Sequence, residues 1–135
     1  MTLLQDDLAI PAMVPEETRY ERGLAKLAEL DAQVAAAVVA PLGDLGRYIV
    51  EFAFGDIYSR PGLSLRDREL ATVAMLTVLD RGPELRVHLG LALNAGLTAG
   101  ELEEVIIQTV PYAGFPTAMH ALQALHEVVG SRDVS

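Results

Sequence analysis

Apolar residues recur at three- and four-residue intervals along most of the chain, the period of helices buried on one side. Residues 1–14 read as an arm that ends at Pro15. Pro15, Glu16 and Glu17 place a proline and two acids in a first turn, which predicts a helix to about Leu30. Gln33 to Ala40 is rich in Ala and Val and is closed by Pro41. Asp44 can cap a third helix to about Tyr58, through Arg47, Glu51 and Asp56. Ser59-Arg60-Pro61-Gly62 reads as a turn, with Pro-Gly at the central positions of type II.

The second half is punctuated more clearly. Ser64 caps a helix through Leu79, with Asp67 three residues on. Arg81-Gly82-Pro83 breaks the chain and sets Pro83 at the start of the next helix, which runs to about Ala95 and stops at Gly96. Thr98-Ala99-Gly100-Glu101 is a capping box in sequence. Its helix runs to about Val110, where Pro111 kinks or ends it. Gly114-Phe115-Pro116 starts a last helix that ends near Val129, before Gly130. The β-prone Val38-Val39 and Val105-Ile106-Ile107 both lie inside helical patterns, so no strand is predicted. The expectation is an all-α, single-domain bundle of about six or seven helices over residues 15–135.

Composition adds an assembly argument. The chain is 51% hydrophobic but only 135 residues long, and a domain of that size leaves much of its surface exposed. Burial of apolar faces against further copies of the chain is the expected solution. Ten basic residues against nineteen acidic ones give a net charge of −9, which argues against nucleic acid or an anionic membrane as partner. No apolar run reaches the roughly 18 residues that span a bilayer. The N-terminus has no basic segment of the kind that opens a signal peptide, so a cytoplasmic protein is expected. With no cysteine there is no disulfide and no thiolate metal site.

Candidate chemistry gathers around Gly82. Leu65, Glu69, Thr72, Val73 and Leu76 fall on one helical stripe, so Glu69 interrupts a mostly apolar face. A carboxylate there is costly unless paired or hydrogen-bonded. On the next helix Glu84 and His88 are i,i+4 neighbours that can touch. Glu69 lies five residues further than His88 from the turn near Arg81, a stagger of roughly 7 Å at the helical rise. The plainer alternative pairs Glu69 with a nearby arginine and leaves His88 a satisfied buried histidine. His120 and His126, six residues apart, do not share a face as metal ligands would, and both read as structural or exposed. Arg66, Asp67 and Arg68 at a helix start either clamp a carboxylate substrate or, the plainer reading, form a solvated surface, and Tyr112 and Phe115 either line a pocket or fill the core.

Five blocks in order resemble the carboxymuconolactone decarboxylase family, which includes the alkylhydroperoxidase D-like proteins. They are Phe52 to Leu63, Arg68 to Leu76, Glu84-Leu85-Arg86-Val87-His88, Asn94 to Thr98 with Glu101, Leu102 and Glu104, and Tyr112 to Pro116. The match runs from about Arg19 to Val129. The resemblance implies an all-helical fold and a ring-shaped homo-oligomer, a trimer or hexamer. In the peroxidase branch a Glu and a His nineteen residues apart serve a Cys-x-x-Cys pair, which by spacing would fall on Arg81 and Glu84. Thiol redox chemistry is therefore closed to this chain. The Ser-Arg-Pro-Gly-Leu and Glu-Leu-Arg-x-His blocks lean to the decarboxylase branch, which turns a carboxylated muconolactone into an enol-lactone and CO2 during aromatic-compound degradation.

The expected activity is thus cofactor-independent decarboxylation of a small carboxylated lactone or keto-acid, with no metal. His88 is the candidate proton donor, with Glu84 or Glu69 orienting it. Arg47, Arg81 or Arg86 would hold a carboxylate, with Tyr112 beside it. The alternatives are a related lyase or isomerase on another small acid in a biosynthetic pathway, and a non-catalytic oligomeric binding protein of the same fold.

Overall fold

A computed structural model describes residues 17–134, and the arm expected at 1–14 lies outside them. Six helices and no strand make up the described chain. They are α1 (Arg19–Val34), α2 (Asp44–Tyr48), α3 (Leu65–Val78), α4 (Gly82–Asn94), α5 (Ala99–Ala113) and α6 (Phe115–Val134). α2 runs directly into a wider, π-helical stretch, Ile49–Tyr58. A π turn (Ala35–Val39) and a 3-10 turn (Ala40–Leu42) join α1 to α2.

Side-chain caps explain three of the helix starts. Ser64 accepts a hydrogen bond from the Asp67 amide, and Thr98 and Glu101 form the full reciprocal capping box. Gly96, at φ +106, ends α4 as expected. The first helix begins later than Pro15 implied: Glu17 and Thr18 are not helical, and Thr18 caps the Glu21 amide. The expected break before Gln33 is the extended backbone of Asp31, whose carboxylate accepts from the Gln33 amide at 2.9 Å.

The structure departs from the sequence reading at three other boundaries. Gly62 does not have positive φ, so the turn there is not type II. Pro111 lies inside α5, which continues to Ala113 and stops at Gly114 (φ +86). Gly130 does not end α6, because Arg132 of the next turn donates to the Gly90 carbonyl of α4 at 2.9 Å and to Asn94.

Two apolar clusters meet at α4. Val73, Leu85, Leu89, Ala92, Leu102, Ile106, Ala121 and Leu125 fill the space between α3, α4, α5 and α6. Leu27, Leu30, Val39, Val50 and Phe54 join α1 to the wide helix and reach α4 through Leu91. α1 and the wide helix touch closely enough that a Cβ on Gly23 would lie 2.0 Å from the Val50 carbonyl oxygen. The end of the wide helix is held by charge. Arg19 and Arg22 both pair with Asp56, and Arg22 also donates to the Gly55 carbonyl at 2.7 Å. That clamp sits two residues before Tyr58, which faces the site described next.

Candidate functional site

Glu69, on α3, is fully buried, the only charged residue in the described core. Its Oε1 lies 2.8 Å from His88 Nδ1 on α4. Toward a carboxylate, which accepts when ionised, Nδ1 is the nitrogen that would donate, and the contact does not use Nε2. A fifth of the His88 side chain is exposed while the carboxylate is sealed. The arrangement is a partly exposed histidine whose ring is oriented by a buried acid.

Helix α3 ends at Val78, and Asp80 then takes a left-handed conformation at φ 56. Its amide bonds to the Thr77 carbonyl and that of Arg81 to the Leu76 carbonyl, which closes a tight helix end. With Asp80 as the centre of the turn, the Glu69–His88 stagger shrinks to three residues, roughly 4.5 Å at the helical rise. Side-chain reach covers the rest. The pairing expected between Glu84 and His88 is absent: Glu84 is exposed, and Nδ1 of His88 is taken by Glu69. Nor does Glu69 pair with an arginine.

A second polar layer backs the pair. The Tyr58 hydroxyl lies 2.8 Å from Thr72 Oγ1, and Thr72 donates to the Arg68 carbonyl at 2.8 Å. Burial pushes the Tyr58 phenol well above its ordinary range, and the neighbouring Glu69 carboxylate pushes it further the same way. Its ring is fixed edge-on against Phe54, with centroids 4.8 Å apart. Glu69 Oε2 is buried without a hydrogen-bond partner. Tyr58 and Thr72 had not been singled out as chemistry from the sequence. Neither belongs to a motif of its own, so no signal in the sequence marked them.

The other candidates scatter. Arg47 pairs with Glu51 at 3.7 Å and stacks over Tyr48. Arg86 pairs with Glu127 of α6 at 2.9 Å, on the side of α4 away from His88. Arg81 is exposed at the start of α4, seven residues and about two turns before His88. Tyr112 is 78% exposed and lines an apolar groove of about 510 Å³ between α3 and α5, with Leu70, Ala74, Val78 and Val105. Phe115, 69% exposed, lines a smaller groove between α5 and α6. Neither aromatic is core. Among the described residues, neither Glu69 nor His88 lines any of five surface grooves, and the His88 side chain is partly exposed.

His120, the other paired histidine, contacts Asp80 at 3.2 Å on the exposed surface, and His126 is exposed. Arg66 pairs with Glu101, and Arg68 donates to the Arg60 carbonyl at 3.0 Å. No described helix is long and apolar enough to cross a membrane.

Six helices with a buried Glu-His pair across the α3–α4 hairpin, in a chain without cysteine, fit an alkylhydroperoxidase D-like fold. Residues 43–127 match the carboxymuconolactone decarboxylase family, and the chain belongs to it. It is 37% identical over 118 residues to the 4-carboxymuconolactone decarboxylase of Acinetobacter baylyi, covering 84% of this chain and 88% of that one. It is 32% identical over 74 residues to the nitrosuccinic acid decarboxylase npaB of Metarhizium robertsii, covering 55% of this chain and 52% of that one. An uncharacterized 15.0 kDa protein of Paracoccus denitrificans is 33% identical over 87 residues, covering 63% of this chain and 65% of that one.

Proposed function

We propose that the chain is a cofactor-independent decarboxylase of a small carboxylated lactone, with 4-carboxymuconolactone as the first substrate to try. The observation that carries this reading is the buried Glu69 carboxylate 2.8 Å from His88, in a chain 37% identical to a 4-carboxymuconolactone decarboxylase. In the proposed reaction the bond to the substrate carboxylate breaks and CO2 leaves. The electron pair moves into the conjugated lactone carbonyl, and a carbon of the resulting dienolate takes a proton from His88 Nε2. Glu69 stabilises the imidazolium before transfer and fixes the ring throughout.

Arg81 is the arginine best placed to hold a carboxylate, because Arg47 and Arg86 are already paired with Glu51 and Glu127. Glu84 stands one turn before His88 on the same face and would sit at the mouth of the site rather than orient the ring. Tyr112, on the α3–α5 groove, takes no part in this reading.

The open side of His88 needs a wall, and a homo-oligomer would supply one. Leu45, Tyr48, Phe52, Phe115 and Met119 are each more than half exposed, an apolar surface suited to contact with further copies. The test is direct. The purified chain should release one CO2 per 4-carboxymuconolactone and form the enol-lactone, without added metal or cofactor. No turnover of that compound would overturn the substrate assignment. The relation to a nitrosuccinic acid decarboxylase favours a second reading, a lyase acting on another small acid such as nitrosuccinate. Turnover of nitrosuccinate in place of the lactone would select it.

A further inference from the structure

We infer that the polar cavity on the side of α4 away from His88 is a second binding site, made for a small oxyanion, a carboxylate or a phosphate. The cavity measures about 310 Å³ and lies where the end of α3, the start of α4 and α6 meet. Thr77, Asp80, Gly82, Arg86, His120 and Gln123 line it, and neither Glu69 nor His88 borders it. The proposed reaction makes no use of these residues.

Thr77 gives the first indication. It is only 1% exposed, and its Oγ1 is buried with no hydrogen-bond partner in the protein. A helical threonine can spend its proton on the carbonyl one turn back. Thr72 and Thr117 do so, and Thr109 uses the Ile106 carbonyl. Thr77 does not, and it forms part of the cavity wall. A buried hydroxyl without a bond is costly, so an acceptor seated in the cavity is favoured.

Arg86 gives the second. Its Nε and Nη2 are both spent on Glu127 Oε2, at 3.0 and 2.9 Å. That pair leaves Nη1 over the first residue of α4, 3.4 Å from where a Cβ on Gly82 would stand. A guanidinium with one edge paired and a further nitrogen at a cavity wall can take a second oxyanion. The helix start adds to it. α4 is 13 residues long, no side chain caps its start, and Gly82 lines the cavity, so the positive end of the helix dipole meets the same space.

One lining charge opposes an anion. Asp80 is held by His120, whose Nδ1 lies 3.2 and 3.4 Å from its two carboxylate oxygens. Protonated His120 cancels that charge and presents Nε2–H as a further donor. Gln123 completes the wall with an amide that can donate or accept.

The test uses no substrate, so the site and the proposed function stand or fall separately. The full chain is titrated calorimetrically at about pH 6, just below the ordinary histidine value, with succinate and separately with inorganic phosphate. At least one probe should bind more tightly than about 10 mM, and the tighter of the two identifies the ligand as carboxylate or phosphate. Arg86→Gln should weaken that binding about tenfold, the worth of a hydrogen bond to a charged group. Thr77→Val should weaken it about threefold. Gly82→Asp puts a carboxylate beside Nη1 at a helix start, where acids are favoured. It should abolish binding while the fold and the Arg86–Glu127 pair persist, as circular dichroism and the Arg86 Nε–H resonance would show. Binding of neither probe below about 10 mM overturns the proposal, as does wild-type binding in Gly82→Asp. Binding that survives Gly82→Asp and is lost in Arg81→Gln belongs to the His88 face of α4 and overturns it as well.

Discussion

Two histidine–carboxylate pairs in this chain have the same chemistry and opposite surroundings. His88–Glu69 is joined at 2.8 Å with the carboxylate fully buried, whereas His120–Asp80 is joined at 3.2 Å with about half of each side chain in water. The first joins two helices and the second joins α6 to the turn after α3, and in both the contact is made through Nδ1 of the ring. The difference lies in what the pair costs to break. Water solvates either partner of the exposed pair when the other leaves. No water replaces the lost partner of a sealed Glu69, so the buried pair holds the orientation of its ring.

The largest contrast should come from truncating each ring. His88→Ala abandons a buried carboxylate and should destabilise the fold by about 3–5 kcal/mol. His120→Ala should stay within about 1 kcal/mol, the range of exposed pairs. Urea titrations of the two variants check this, and equal losses would break the comparison. Turnover sharpens it next. Glu69→Gln should lower kcat on the proposed lactone by at least about 10²-fold, and Glu84→Gln should cost much less, because Glu84 does not touch the ring. A larger loss in Glu84→Gln would restore the i,i+4 pair that the sequence suggested.

Smaller effects follow from charge exposure. Raising salt to about 1 M shrinks the Debye length to about 3 Å and should weaken the His120–Asp80 contact while leaving Glu69–His88 intact. Ring proton shifts of the two histidines read both at once. The clamp behind Tyr58 predicts a mild acid sensitivity. Arg19 holds the Asp56 carboxyl below its ordinary range, with Arg22 assisting. A depressed folded value contributes stability above the ordinary carboxylate range, and this stability is lost as pH falls through the depressed value. Asp56→Asn should therefore lower the neutral-pH melting temperature slightly and flatten its decline in acid.

Local signals were legible in the sequence, and contacts between distant residues were not. Ser64, Thr98 with Glu101, and Gly96 each declare a helix end within four residues, and the structure keeps all three. Gly130 looked like a stop by the same logic, but α6 passes through it because Arg132 reaches Gly90 and Asn94 on a helix some forty residues away. The π-helical widening at Ile49–Tyr58 has no simple periodic signature, so it read as an ordinary helix. The site was half legible. Glu69 announced itself as an acid on an apolar stripe, and His88 as the residue nineteen positions on. Their contact depended on the left-handed Asp80, which recentres the turn. The i,i+4 rule favoured Glu84 because it counts only neighbours on one helix. The layer of Tyr58 and Thr72 behind Glu69 is assembled from two elements and carried no motif of its own.

The central claim is that His88, held by Glu69, moves the proton. The most direct test is the kcat of His88→Gln on 4-carboxymuconolactone, beside circular dichroism and a mass measurement to show that fold and assembly persist. Glutamine can still donate an N–H to the buried carboxylate, so the variant isolates proton transfer from folding. The account predicts a loss of about 10²–10⁴-fold with structure intact. A folded His88→Gln variant that turns the lactone over at the wild-type rate would contradict it.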